Sequence, residues 1–375
     1  MLKFISRVYL TQKEYELMET RLDYKVFNEL KKHISVKKIM YNAEAKVNVV
    51  DENIIMLQLP FKPNLLIKKI LAYIYIHYKF FYMIKNEREN IFVIGITSKL
   101  FNILLVPFAI YRNRILVQLY TPSVVKNRWK RILLDNFTKF ILKLFENYLI
   151  TGDNRTKQVY KLKDEKCLYI KLGMPVYGNK KELQKDKLRL LYIGTLNNRE
   201  IHKIVIGIRK FVDTYNIPIV FNICGFGNED KIKKLKEIIN DNKLADIVKY
   251  HGFVSYKEFT KFIEISNIGV SYVPNVPKYN GVSITKTVEY MLAGLPVIGT
   301  KNSFNSETIN HFNGMLCDDN PESFCHTIKQ IWDKFDAYKP DKIKETVKEY
   351  SMQSCIEEGY LPVVRKIAKE QNCEL

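Results

Sequence analysis

In the stretch GVSITKTVEYMLAGLPVIGT, residues 281–300, Lys286 and Glu289 stand three apart behind two hydroxyl residues, Ser283 and Thr285. Pro277 and Gly281 mark a loop, so residues 283–286 are expected to open a helix with both hydroxyls in its first turn. A helix start presents unpaired N–H groups and a partial positive charge, which suit a phosphate. Lys286 adds a full cation there, and Glu289 lies one turn along on a similar face, since residues three apart are helical neighbours. Diphosphate oxygens on the amides of Ser283, Ile284 and Thr285, with ribose hydroxyls on Glu289, would accommodate a nucleotide. The same pattern also describes an ordinary capped helix with an i,i+3 ion pair, and the local residues leave both readings open.

The elements that must position these groups are legible around them. From residue 187 to 350 short apolar runs alternate with helical patterns: LRLLYIGTL, IPIVFNICG, IVKYHGF, IGVSYVP and LPVIGT, each followed by a helix. Such alternation implies parallel strands with crossover helices, a doubly wound α/β domain that binds ligands at the carboxyl ends of its strands. The first half is similar in kind, with strands expected at KFISRVYL, IFVIGI, RILVQLY and NYLITG and helices near 22–32, 62–87, 98–111 and 127–147. The polar stretch YGNKKELQKDK, residues 177–187, reads as the connection, which gives domains at 1–180 and 187–350. A helical segment at 351–375, broken near Gly359 and Pro362, closes the chain and leaves open whether it packs back on the first domain.

Composition narrows the function classes. The 375 residues are 47% apolar with a formal charge of +20, and residues 1–180 hold 32 Lys or Arg against 15 Asp or Glu. A basic half beside a nearly neutral one faces a polyanion, an anionic membrane surface or a phosphorylated substrate, or is simply a solvated lysine-rich surface. The charged residues that follow MLKFISRVYL do not resemble a signal peptide, and charge-free runs stop short of a spanning helix, so a cytoplasmic chain is expected. Six cysteines show neither CxxC pairs nor zinc spacing and are expected to be reduced. There is no Asp-x-Asp to clamp a divalent cation on a diphosphate, so neither a metal nor a cofactor is expected.

Six landmarks then occur in one order: LLYIGTL with Arg199 five residues after Gly194, ICGFGNE, VKYHGFVSYKEF, SNIGVSYVP, TKTVEYMLAGLPVIGT, and NSETINHFNGMLCDD with PESF. Residues 190–336 thereby resemble the donor-binding domain of GT-B-fold glycosyltransferases, particularly family 4 and relatives that build bacterial surface polysaccharides. The resemblance implies two Rossmann-like doubly wound domains facing across a cleft, with a nucleotide-sugar donor in the second. It gives Glu289 to the ribose, and Lys286 with the amides of Ser283, Ile284 and Thr285 to the distal diphosphate or the sugar. Arg199 becomes a second cation on the leaving diphosphate, Phe253 and Val254 hold the base, and Gly194, Thr195, Gly225, Gly227 and Gly281 complete the donor site. The glycines also read as plain strand-to-helix turns. Many members carry a second glutamate eight residues before the first, where Gly281 stands, and an arginine where Thr195 stands. The resemblance further implies metal-independent transfer with retention of configuration.

No catalytic residue carries over to the first domain, whose lone histidines, His77 among them, read as structural. Residues 64–88 mix lysines with tyrosines and phenylalanines, as an interfacial helix does, although their apolar positions run nearly all round, as in a core helix. With the basic run VVKNRWKR, they suggest a peripheral protein at the inner membrane face with a glycan or polyprenyl-diphosphate-linked acceptor. Alternatives are another GT-B sugar-nucleotide enzyme of epimerase type, or a non-enzymatic basic protein that binds nucleic acid or a membrane. No nucleic-acid-binding signature is present, and no nucleic-acid partner is expected.

Overall fold

The computed structural model describes residues 1–11, 22–43, 51–97, 99–119, 125, 127–151, 155–276, 279 and 282–373. The chain divides into two compact units, Met1–Gly173 with Met352–Leu375, and Met174–Ser351. It crosses at Gly173/Met174, ahead of the polar 177–187 stretch, whose Tyr177 is buried against Phe259 at a ring separation of 4.5 Å.

Unit 1 is a parallel seven-stranded sheet in the order β3-β2-β1-β4-β5-β6-β7. The strands are β1 (Leu2–Leu10), β2 (Val36–Asn42), β3 (Ile54–Gln58), β4 (Ile91–Ile96), β5 (Ile115–Leu119), β6 (Asn147–Thr151) and β7 (Cys167–Ile170). Alternate residues of the central strands face opposite layers, as strand pleating requires. Leu2, Phe4, Val93, Leu116 and Leu149 pack with helix α1 (Leu22–Leu30) and the C-terminal residues Tyr360, Val364 and Ile367. Ile5, Phe92, Ile94, Val117 and Ile150 pack instead against α2 (Leu66–Asn86), a 3₁₀ segment (Leu100–Arg114) and α3 (Arg128–Leu142). The helix expected over 98–111 is thus a 3₁₀ segment from Leu100, with Pro107 inside it and a non-helical Tyr111, while residue 98 lies outside the described residues. A short α4 (Arg155–Tyr160) precedes β7.

Strands β2, β3 and β7 were not among those expected. Strand β2, VKKIMYN, places Lys38 in the interior at 3% exposure, where its ammonium meets Asp23 of α1 at 2.8 Å. A buried lysine is tolerated only when paired, and the partner comes from another element.

Unit 2 is a parallel six-stranded sheet in the order β10-β9-β8-β11-β12-β13. Its strands are β8 (Leu188–Ile193), β9 (Ile219–Cys224), β10 (Val248–Gly252), β11 (Ile268–Ser271), β12 (Val297–Thr300) and β13 (Gly314–Cys317). Between them run α5 (His202–Thr214), α6 (Glu229–Asp241), α7 (Tyr256–Ile265), α8 (Thr285–Leu292) and α9 (Ser303–Thr308), and α10 (Pro321–Asp333) follows β13. The strand order reverses at β8, which lies between β9 and β11, so its carboxyl end is a topological switch point and the expected place for a ligand. All six cysteines are free.

Candidate functional site

Two loops meet at that switch point. The loop after β8 begins with Gly194 and is stitched to the loop after β9. Gly194 N donates to Cys224 O, Leu196 N to Phe226 O at 2.8 Å, and Asn228 N to the Asn197 side chain at 2.9 Å. A Cβ on Gly225 would lie 1.9 Å from the Gly194 carbonyl oxygen, so this backbone approach admits glycine alone. Gly227 faces Leu196 and Asn197 in the same seam. Thr195 serves the loop internally, its carbonyl accepting from Tyr192 Oη at 2.8 Å and its hydroxyl from Asn197 N at 3.2 Å.

Helix α8 supplies the other wall. It begins at Thr285 with Ile284 as an N-cap that makes no side-chain hydrogen bond, so Ser283 precedes the helix and only Thr285 of the two hydroxyls lies in the first turn. Gly281 and Asn280 lie outside the described residues. The helix is held from both ends of its buried face. Tyr290 Oη accepts from Ile193 N at 2.7 Å, and Thr287 bridges Ser271 at 2.6 Å and Asn305 at 2.7 Å. These buried bonds fix which way the neighbouring Lys286 and Glu289 point.

Lys286 Nζ reaches back to β8 and lies 3.9 Å from the centroid of the Tyr192 ring, beside Gly194. It has no hydrogen-bond partner, so the i,i+3 pair with Glu289 is not a hydrogen-bonded one. Burial pulls its ammonium down to about 7, Arg199 pushes the same way, and Glu289 opposes them. Arg199, on the loop from β8, has its Nε and Nη1 buried without a hydrogen-bond partner. Its guanidinium lies 4.3 Å from the Tyr279 ring, and Tyr279 Oη donates to Asn198 O at 3.2 Å. Both neighbours of Arg199, Asn198 and Glu200, have left-handed backbones, with φ of 58° and 49°. Cation–ring contacts stabilise both side chains, yet neither meets an acceptor for the buried nitrogens named. Desolvated cations of this kind are prepared for an incoming anion.

The structure therefore gathers Gly194, Thr195, Arg199, Gly225, Lys286 and Glu289 around the carboxyl end of β8 and the first turns of α8. Phe253 and Val254 lie past β10, two strands from β8, and Phe253 is 66% exposed with its ring 6.3 Å from that of Phe226. Tyr192, Tyr279 and Tyr290 were missed as functional residues. Tyr290 is adjacent to Glu289 in sequence, but nothing local signals that its hydroxyl ties α8 to β8. Among the described residues no group of three or more His, Cys, Asp or Glu is placed to share a metal ion.

Unit 1 has its own crevice at the reversal between β1 and β4, a cavity of about 200 Å³ lined in part by Arg7, Lys38, Tyr73 and Lys99. Arg7 donates to His77 Nε2 at 3.1 Å and to Asn102 Oδ1 at 3.0 Å, and burial pulls its guanidinium down to about 10. His77 Nδ1 faces Tyr73 O at 2.7 Å, and burial with Arg7 lowers the imidazole to about 4, so it is a neutral structural histidine.

Residues 176–349 match the family described as glycosyl transferases group 1. No curated protein matches the chain. Among solved structures, a glycosyltransferase from Rickettsia africae superimposes with a TM-score of 0.73 over 98% of both chains at 16% identity. HepE from Anabaena, in complex with UDP, gives 0.67 at 11% identity over 98% of this chain and 99% of that one. The apo lipopolysaccharide outer core galactosyltransferase WaaB gives 0.58 at 15% identity, covering 93% and 95%. The shared fold is GT-B.

Proposed function

We propose that this chain, a GT-B glycosyltransferase whose residues 176–349 belong to the group 1 family, holds a nucleoside-diphosphate sugar at the β8–α8 crevice of unit 2. It transfers the sugar to a glycan or polyprenyl-diphosphate-linked acceptor in the synthesis of a bacterial surface polysaccharide. The observation that carries the reading is the pair of desolvated cations, Arg199 and Lys286, with buried nitrogens that have no hydrogen-bond partner beside the start of α8. As the glycosidic oxygen leaves with the nucleoside diphosphate, negative charge grows on it. Both cations and the amides at the start of α8 stabilise that charge. Glu289, one turn along, accepts from the ribose hydroxyls. In this reading the diphosphate's charge is met by side chains and amides, so transfer is metal-independent. The acceptor hydroxyl attacks from the face that the leaving group vacates, with retention.

HepE, a similar fold, is known in complexes with UDP and with UDP-glucose, which makes UDP the first nucleotide to test. Calorimetric titration with UDP, GDP, CDP and dTDP in EDTA should show selective binding of one of them, abolished or strongly weakened in Glu289→Ala. Well-folded protein that binds none of the four would overturn the reading.

A further inference from the structure

Three elements of unit 1 that lie side by side are apolar on both faces. Helix α2 buries Ala72, Ile76, Phe80 and Ile84 in the core and turns a second stripe, Ile67, Leu71, Ile74, Tyr78 and Tyr82, to solvent. That outer stripe keeps the three-to-four spacing of one helix face. The 3₁₀ segment does the same, burying Leu105 and Phe108 while exposing Leu100, Ile103, Val106 and Ile110. Helix α3 buries Leu134 and Ile141 and exposes Trp129, Leu133 and Phe140.

The three are joined. Tyr73 of α2 stacks on Phe101 of the 3₁₀ segment at 4.7 Å, and Asn102 donates to Thr138 of α3 at 3.0 Å. The exposure is large where it matters, 71% at Ile67, 74% at Ile110 and 80% at Trp129. Scattered apolar residues on a surface need no explanation, whereas a contiguous face of this kind marks an interaction site.

Charge identifies the partner. Residues 62–143 hold fifteen Lys or Arg against three Asp or Glu. Lys69, Lys79, Lys85, Arg128, Lys130 and Arg131 stand exposed among the apolar groups. An apolar face interleaved with cations, with tyrosines and a tryptophan that join an apolar ring to a polar atom, fits the boundary between acyl chains and anionic headgroups. Among the described residues no helix is long and apolar enough to cross a membrane, and α2 is committed to the core along its other face. We propose that the outer face of α2, the 3₁₀ segment and α3 docks flat on an anionic lipid bilayer. The proposal goes beyond the donor reading and does not depend on it, since no residue of unit 2 takes part.

The test is flotation of the purified full-length protein with vesicles of phosphatidylcholine alone and of phosphatidylcholine mixed with phosphatidylglycerol, at low and high salt. Binding should require phosphatidylglycerol, weaken with salt, and fall about fivefold for each charge removed in Lys130→Gln and Arg131→Gln. Ile67→Ser with Trp129→Ser should abolish it while leaving the melting temperature and UDP binding unchanged, because both side chains already face solvent. On a Trp332→Phe background, Trp129 fluorescence should shift to the blue on binding. Glu289→Ala protein should bind vesicles normally, which separates failure here from failure of the donor site. Protein that ignores anionic vesicles at low salt overturns the proposal, as does binding untouched by the double substitution. A dimer that the double substitution dissociates would assign the face to a second copy of the chain instead.

Discussion

Lys286 and Arg199 keep buried nitrogens without hydrogen-bond partners, an arrangement that costs stability in the free protein. Lys286→Met keeps most of the stem and removes the charge. It should raise the stability of the free protein by roughly 1–2 kcal/mol, read as a higher melting temperature, and at the same time weaken UDP binding. A purely structural lysine would lose stability on the same change. The depressed ammonium also sets a pH dependence. Between about 7 and its ordinary value the folded protein has released a proton that the unfolded chain keeps, so stability of the free protein rises with pH through that window. A bound diphosphate favours the charged form and pulls the proton back. UDP affinity should therefore fall as pH rises above about 7, with proton uptake visible by calorimetry in buffers of different ionisation enthalpy, and Lys286→Met should remove both effects. Glu289→Ala should weaken UDP by about 1.5–3 kcal/mol, roughly 10- to 150-fold, if its carboxylate holds the ribose.

At the scale of elements, the crevice depends on how closely the β8 and β9 loops approach. Gly225→Ala would drive a methyl into the Gly194 carbonyl, a backbone atom that cannot step aside. The substitution should lower both the melting temperature and UDP affinity, unlike Glu289→Ala, which should lower affinity alone. Both the strand ends and α8 were legible in the sequence because a doubly covered parallel sheet leaves near-continuous apolar runs, and the chemistry sits where those runs stop. What escaped has a physical cause in each case. Strand β2 hides behind Lys37 and Lys38, and the burial of Lys38 depends on Asp23 of α1, a partner that no local pattern announces. The 98–111 segment has enough apolar residues for a helix, but Pro107 and the irregular Tyr111 leave it 3₁₀. Ser283 was expected in the first turn, yet α8 starts two residues later, where the buried Ile284 takes the cap. Tyr192 and Tyr279 escaped because ring faces that receive a cation are set by tertiary placement, and neither lies at helical spacing from the residue it supports.

At the scale of the molecule, unit 2 is one continuous stretch, whereas unit 1 is completed only by a second segment, Met352–Leu375. Tyr360, Val364 and Ile367 belong to the same apolar cluster as Leu2, Phe4 and Phe27, and Gln118 of β5 donates to Tyr360 Oη at 2.7 Å inside it. The C-terminal helix α11 (Leu361–Glu370) is reached through the π-helical turn Cys355–Tyr360, so Gly359 and Pro362 reshape the helical run without ending it. The N-terminal strands thus lack part of their core until residues 352–370 are in place. A chain stopped after Ser351 should lose the cooperative unfolding of unit 1 and expose its apolar layer to a hydrophobic dye. Residues 174–351 made alone, with no strand missing from their sheet, should fold and bind UDP as the full chain does. Tyr360→Phe is the milder form of the same test: loss of one buried hydrogen bond should cost about 1–2 kcal/mol. In a calorimetric scan that loss should lower the transition of unit 1 and leave the transition shifted by UDP where it was. If instead both transitions moved together, folding of the two units would be coupled, and the last helix would report on the donor site as well as on the core that it closes.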